Sequence, residues 1–230
     1  MSNTLSVLPS KRETLWGCLY ILLSQTLLPL LLPFCLQLLF PDILLSEVNF
    51  IYFLLNFCCV AVILRKFLWT SRPQSGQSLL PIGGTALIGL LLYFVLNYAV
   101  TMLIVALRPD FFNVNDRNIA SLAEEHYLLM VLGTVVLVPI TEELLYRGVV
   151  FSALQKANPI LAYALSILLF SAIHVIGYVG TYHWPVLLLC LLQYIPAGFC
   201  LAWVYQRSGS ILSPILLHTI INAIGIFSVR

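Results

Sequence analysis

Long apolar runs separated by short polar connections make up most of this chain. No Asp, Glu, Lys or Arg occurs from Thr14 to Pro41 or from Pro73 to Leu107, and three further runs are equally free of charge. A helix that crosses a bilayer needs roughly 20 apolar residues. The pattern therefore predicts seven spans, at about 15–40, 47–64, 81–107, 127–147, 159–177, 185–205 and 211–228.

Some of these elements depart from straight, regular spans. Pro29 and Pro33 lie inside the first span, so we expect it to be kinked or re-entrant. The most polar connections are predicted at 65–80 and 108–126. Together the elements predict an all-α fold, a polytopic transmembrane helical bundle of about seven spans.

The composition supports a membrane protein. The chain is 61% hydrophobic and only 9% charged, with a mean hydropathy of +1.01, whereas soluble domains carry about 25% charged residues. Its 230 residues leave no room for a second, soluble domain beside the predicted spans. The six cysteines fall in apolar runs and form no CxxC pair, so neither a disulfide framework nor a thiolate zinc site is expected.

Basic residues are distributed unevenly between the two ends of the predicted bundle. Cytoplasmic loops of membrane proteins carry an excess of Lys and Arg. A cytoplasmic N-terminus in a cell membrane is therefore favoured, because it puts eight basic residues inside and three outside. Those inside are Lys11, Arg12, Arg65, Lys66, Arg72, Arg147, Lys156 and Arg207, and those outside are Arg108, Arg117 and Arg230.

The first candidate for chemistry is a group of charged residues in the fourth span. Carboxylates at membrane depth cost on the order of a few kcal/mol each, so Glu142 and Glu143 mark a functional site by default. Glu143 and Arg147 are four apart on a helix and can pair. Glu142 points about 100° away and is left to face a cavity, a metal or a water, and Pro139 could open space beside it. The alternative is a solvated helix end at the cytoplasmic surface.

Two histidines in otherwise apolar helices are the second candidates. His174 shares a helix face with Phe170, and His218 shares one with Asn222. Polar side chains in lipid-embedded helices face the bundle interior. There His can bind a metal or donate a hydrogen bond, and Asn can donate to a developing oxyanion. The alternative for each is packing or hydrogen bonding between helices.

The three clusters lie on three helices, and their local spacing does not force them to meet. If they meet, Glu, His, His and Asn can hold a divalent metal with an open position, or activate a water without one. Either way the natural chemistry is hydrolysis of an acyl bond. The sequence has no phosphate-binding loop, no HExxH and no basic-aromatic patch, so no nucleic-acid partner is expected.

The order and spacing of these residues resemble a known family. Glu142-Glu143-x-x-x-Arg147, then Phe170-x-x-x-His174, then His218-x-x-x-Asn222, on separate apolar helices, is similar to the CPBP family of CAAX proteases and bacteriocin-processing intramembrane proteases, also called the Abi family. The resemblance covers about 139–225. It implies N-terminal transmembrane helices at 1–125 and a catalytic helical core at 126–230, within one integral membrane domain.

The resemblance also implies an activity and roles for the residues. It implies an endopeptidase that cleaves a peptide or membrane-protein substrate within or near the lipid. Glu142 would activate the attacking water with His174 beside it, while His218 and Asn222 would hold the oxyanion and Arg147 would brace Glu143. Glu142, His174 and His218 are the expected ligands of a divalent metal, zinc in the first place, and a metal-free glutamate mechanism is the alternative.

Two other functions are compatible with the same residues. One is a non-enzymatic bacteriocin-immunity or regulatory membrane protein, and the other is a small transporter with Glu and His as a proton relay. The depth of the residues also needs explaining. Straight helices would place His174 roughly 10 Å too far from Glu142 and His218. We therefore expect the fourth span to continue past Arg147 towards Lys156, or a neighbouring helix to be broken or tilted.

Overall fold

The computed structural model describes residue 5, residues 7–73 and residues 78–228, and these residues form a bundle of nine helices. The all-α prediction is confirmed, since the described residues contain no strand beyond a single bridge between Val179 and Tyr182. Arg230, which entered the orientation prediction, lies outside the described residues. The helices are α1 (Lys11–Thr26), α2 (Leu28–Leu39), α3 (Leu45–Ile63), α4 (Arg65–Ser71), α5 (Leu80–Leu107), α6 (Val114–Gln155), α7 (Pro159–Ile176), α8 (Trp184–Ser208) and α9 (Leu212–Ser228).

The predicted multi-pass architecture is confirmed as well. Among the described residues, α3, α5, α6, α7 and α8 are long and apolar enough to cross a membrane. The pair α1 and α2 adds a sixth span if it counts as one, and it is bent by 55°. The bend lies at Leu27, just before Pro29, as expected where proline removes a backbone donor. Helix α9, with 17 residues, is the shorter seventh apolar element.

Helix α6 differs from its predicted boundaries at both ends. The predicted connection 108–126 is too long, because the Asn113 side chain caps a helix that starts at Val114. The backbone breaks at His126 (φ −150°, ψ 79°), so the apolar part begins close to the predicted start at 127. The predicted end at 147 is wrong, since the helix runs on to Gln155. Two arrangements were expected to bring Glu142 to the depth of His174. The structure has the first of them, in which the helix that carries Glu142 continues past Arg147.

Close contacts between helices depend on glycine residues. A Cβ on Gly89 of α5 would lie 2.3 Å from Val204 Cγ2 of α8 and 2.9 Å from Leu217 Cδ2 of α9. A Cβ on Gly133 of α6 would lie 2.5 Å from the ring of Phe53 in α3. Small residues at such crossings let backbones approach closely, which is how helices associate when lipid surrounds them.

The N-terminal and C-terminal halves share one core. Tyr20 of α1 and Val60 of α3 belong to the same buried cluster as Leu144 and Phe151 of α6. A second cluster joins Ala86 of α5 to residues of α6, α7, α8 and α9. The helices at 1–125 therefore form part of the packing around α6 to α9.

Candidate active site

A cavity of about 680 Å³ lies inside the bundle and is lined by side chains from seven of the helices. Glu142 of α6, His174 of α7, and His218 and Asn222 of α9 all line it. The three polar clusters, which lie far apart in sequence, therefore face one space. Their convergence depends on the extension of α6 to Gln155, which moves Glu142 away from the helix end.

Glu143 and Arg147 form a fully buried ion pair beside this cavity. Arg147 Nη1 donates to Glu143 Oε1 at 2.9 Å, and both side chains are 0% exposed. Arg147 Nη2 donates to the Gly198 carbonyl of α8 at 3.0 Å, and the guanidinium lies 4.6 Å from the centre of the Phe170 ring. The pairing expected from the spacing of four residues is present, and it fixes α6 to α8.

The buried pair also orients His218. Its Nδ1 lies 2.8 Å from Glu143 Oε1, the oxygen that Arg147 also contacts. A carboxylate paired with arginine accepts hydrogen bonds, so this contact places the imidazole proton on Nδ1. His218 Nε2 is then directed towards Glu142 Oε2, at 4.0 Å.

Glu142 is the less constrained of the two carboxylates. Its side chain is 15% exposed and lines the cavity, whereas Glu143 does not. Among the described residues, Glu142 Oε2 is a buried oxygen without a hydrogen-bond partner. Its contacts match the sequence expectation that one arginine cannot satisfy both acids. A buried acceptor with no partner is a position where a water or a substrate group can bind.

His174 is held in place from three sides. Its Nδ1 lies 2.8 Å from the Phe170 carbonyl, which places the proton on Nδ1 and leaves Nε2 as an acceptor. The ring stacks on Tyr194 with centroids 4.1 Å apart and planes at 24°. The Phe170 ring lies between the two histidines, with centroids 5.0 Å from His174 and 5.5 Å from His218.

Asn222 binds a backbone carbonyl that proline leaves unpaired. Around Thr134 the α6 backbone bonds with a spacing of five residues, as in the bond from Val138 N–H to the Gly133 carbonyl. The next donor in that series would be Pro139, which has no N–H. Asn222 Nδ2 donates to the Thr134 carbonyl at 2.8 Å instead. One amide proton of Asn222 is thus committed to α6, and the other is left for a ligand in the cavity.

Sequence reasoning missed a polar network around Tyr194. The Tyr194 hydroxyl donates to Asp116 Oδ1 at 2.6 Å and accepts from Asn115 Nδ2 at 3.0 Å. Asn113 Nδ2 donates to Gln193 Oε1 at 3.0 Å. The sequence does indicate this network, because the polar residues Gln193 and Tyr194 interrupt an apolar run. The residues at 113–116 were assigned to a connection and so received no role.

The predicted metal ligands do not form a set of three in this arrangement. Among the residues that the structure describes, no three His, Cys, Asp or Glu side chains are grouped so that they could hold a metal ion. Glu142 and His218 face each other, and His174 lies outside that pair. Catalytic zinc sites in proteins supply three protein ligands. Two facing groups suit a water held between them.

Comparison with known proteins bears on this geometry. Residues 124–224 match the family model described as type II CAAX prenyl endopeptidase Rce1-like. This segment is similar to that family. The match confirms the resemblance predicted from the three motifs, and the Rce1-like segment contains all six predicted site residues. At the level of the family it supports a CAAX-type protease in a multi-pass membrane protein.

One curated relative overlaps much of the chain. The UPF0177 protein YxdF of Lactococcus lactis subsp. lactis (strain IL1403) is 26% identical over 132 residues. The overlap is 56% of this chain and 67% of that protein. No solved structure matches the chain.

Proposed function

We propose that this protein is an intramembrane endopeptidase that hydrolyses a peptide bond with a water activated by Glu142. The observation that carries the proposal is the convergence of Glu142, His174 and His218 on one cavity. The Rce1-like match at residues 124–224 supports the same class of reaction. Keeping several ionisable side chains inside an apolar bundle is costly, and a hydrolytic site is the use that best accounts for them.

The attacking water is placed between Glu142 and His218. The 4.0 Å between Glu142 Oε2 and His218 Nε2 is too long for a direct hydrogen bond. It admits a water with one bond of about 2.8 Å to each atom. The Glu142 carboxylate takes a proton from this water as its oxygen attacks the peptide carbonyl carbon. That proton then passes from Glu142 to the leaving amine nitrogen as the C–N bond breaks.

The tetrahedral intermediate needs donors for its oxyanion. The remaining amide proton of Asn222 is one such donor, because its partner bond to the Thr134 carbonyl fixes the orientation of the amide. His174, with its Nε2 as acceptor, positions the water or the leaving group. Arg147 holds Glu143 in place.

The test is cleavage of quenched fluorescent peptides by the purified protein in liposomes. Glu142→Gln keeps the shape of the side chain but removes the base, so we expect the rate to fall by about 10²–10⁴-fold. Lys156→Gln removes an exposed charge directly after the same helix and serves as the control, with its rate within about twofold. An unchanged rate in Glu142→Gln, with wild-type protein levels, would refute the proposal.

The same assay addresses the predicted zinc. Because Glu142 and His218 hold the attacking water between them in this proposal, we expect cleavage to continue when a chelator removes divalent metal. Loss of activity with chelator, restored by added zinc, would show instead that the attacking water is metal-bound. Zinc content of the purified protein, measured by elemental analysis, is the independent readout.

A further inference from the structure

The cavity reaches only one end of the bundle. Its wall includes Asn113 in the connection before α6, and Gly177 and Tyr178 in the connection after α7. Its lining residues in α3 lie between Asn49 and Asn56, and those in α9 lie between His218 and Ser228, the last residue of that helix. Among the described residues, none that line the cavity comes from the connections that join α3 to α5, α6 to α7 or α8 to α9. We name the end with Asn113 and Tyr178 the cavity end.

The two ends of the bundle carry opposite charge. The opposite end has seven basic residues and one acidic residue, Glu13. Those basic residues are Lys11, Arg12, Arg65, Lys66, Arg72, Lys156 and Arg207. At the cavity end the only basic residues among those described are Arg108 and Arg117, and there are six acidic ones. The six are Asp42, Glu47, Asp110, Asp116, Glu124 and Glu125.

The lysine and arginine distribution orients the bundle. Short cytoplasmic loops are enriched in these residues, so the opposite end faces the cytoplasm. Arg147 is fully buried against Glu143 and belongs to the candidate site. It is therefore not counted among the basic residues that orient the bundle. Seven basic residues against two give the same orientation as the full sequence does. The cavity end, with its access to Glu142, then faces away from the cytoplasm.

The outer part of the cavity is rich in side-chain amides and contains no cation. In the part of the chain that the structure describes, no Lys or Arg lines the cavity, and Asp116 and Glu142 are the only carboxylates that do. Amide side chains both donate and accept hydrogen bonds, as a peptide backbone does. The lining amides outside the catalytic group include Asn49, Asn97, Asn113, Asn115, Asn118 and Gln193.

We propose that the cavity is entered from the non-cytoplasmic side of the membrane, and that its substrate is a cationic polypeptide segment. The proposal rests on the endopeptidase function proposed above and specifies its side of access and its substrate class. The acidic cavity end attracts a positively charged chain and raises its local concentration. The amide-rich wall then binds the backbone of that chain on its way to Glu142.

The first test locates the two ends without using activity. In a Glu142→Gln background, Asp110→Cys is placed at the cavity end and Lys156→Cys at the opposite end. Asp110 is 78% exposed and Lys156 is also exposed. A membrane-impermeant maleimide should label Asp110→Cys in intact cells and Lys156→Cys only after permeabilisation. The parent chain gives the background from the six native cysteines. Labelling of Lys156→Cys in intact cells would overturn the proposed side of access.

The second test measures the substrate class in the same background. A lysine-rich peptide should slow maleimide labelling of Asn118→Cys, inside the cavity, by about tenfold, and should do so less at high salt. It should leave Asp110→Cys, which lies outside the cavity, unchanged. A peptide of the same length with Glu in place of Lys should protect neither. Equal protection by both peptides, or by neither, would overturn the proposed substrate class.

These outcomes are distinct from failure of the proposed function. Labelling and protection are measured in a variant that lacks the catalytic carboxylate, so they do not depend on cleavage. If the wild-type protein cleaves no peptide, the endopeptidase function fails while the labelling still reports orientation and binding. If it cleaves and the labelling is reversed, only the inference about access fails.

Discussion

At the scale of single residues, the site is built from charges that stabilise one another. Glu143 receives hydrogen bonds from Arg147 and His218 at the same oxygen. Arg147 uses a second nitrogen for the Gly198 carbonyl. Burial of a charge is tolerated only when such partners replace its water. The arrangement leaves Glu142 as the carboxylate available to a ligand.

Removing the arginine should unfold this arrangement. We expect Arg147→Met to lower the free energy of unfolding by about 3–5 kcal/mol, because Glu143 is left as a buried, uncompensated charge. Arg147→Lys should recover little of this free energy of unfolding. An ammonium cannot bind the carboxylate and the Gly198 carbonyl together as the planar guanidinium does. Denaturation of the purified protein in detergent measures the change. Arg65→Met, an exposed control, should stay within about 0.5 kcal/mol of wild type.

Asn222 and Pro139 should be energetically coupled. We expect Asn222→Ala to cost about 1–3 kcal/mol, because the Thr134 carbonyl loses the donor that Pro139 cannot supply. In a Pro139→Ala background, position 139 gains a backbone N–H within the same helix. This N–H can donate to the Thr134 carbonyl in place of Asn222. The cost of Asn222→Ala should then be smaller. A double-mutant cycle on the free energy of unfolding measures the coupling, and strict additivity would contradict it.

At the scale of elements, helix positions are set by backbone approach. Helices surrounded by lipid gain little from burying apolar surface against each other, so close packing at small residues matters more. Gly89 lies where α5, α8 and α9 meet, and Gly17 lies against Val149 where α1 meets α6. Backbone defects matter as well, because the break at His126 lies between the lining residues Ile119 and Thr134, and Pro139 directly follows the lining residue Val138.

The crossing at Gly89 offers a matched comparison. Gly89→Val adds atoms where a Cβ would already lie 2.3 Å from Val204. We expect a loss of about 1–3 kcal/mol in stability, as in other overpacked cores. Gly84→Val, on the same helix with nothing within 4 Å of its Cβ position, should be close to neutral. Thermal unfolding of both variants in detergent is the measurement, and equal effects would show that helix propensity rather than packing decides the result.

At the scale of the whole molecule, the proposed catalytic residues lie in the second half of the chain, while the first half supplies part of their surroundings. Ser24, Asn49 and Tyr52 line the same cavity as Glu142. The buried cluster around Tyr20 and Val60 includes residues of α6. The boundary predicted near residue 125 falls inside α6, beside its break at His126, and the helices on either side of it share a buried cluster.

Separate expression of the two halves examines this dependence. We expect 126–230 alone to be degraded or protease-sensitive in membranes, because the faces of α6 that contact α1 and α3 would be exposed. Co-expression with 1–125 should restore protease resistance if the two fragments assemble. Equal resistance of 126–230 with and without its partner would contradict the shared core.

The sequence by itself determined the spans and the candidate residues. Apolar runs of membrane length admit only helices, since lipid cannot satisfy backbone hydrogen bonds. The spacing of four residues between Glu143 and Arg147 fixes their pairing within one helix. These are local consequences of helical geometry and of the surrounding lipid.

Only the tertiary structure decided how the clusters meet. The length of α6, the break at His126 and the contact between Asn222 and Thr134 depend on how neighbouring helices pack. The same holds for the stacking of Tyr194 on His174 and for the end of the bundle at which the cavity opens. Distances between helices arise from long-range contacts, and spacing along one helix carries no information about them.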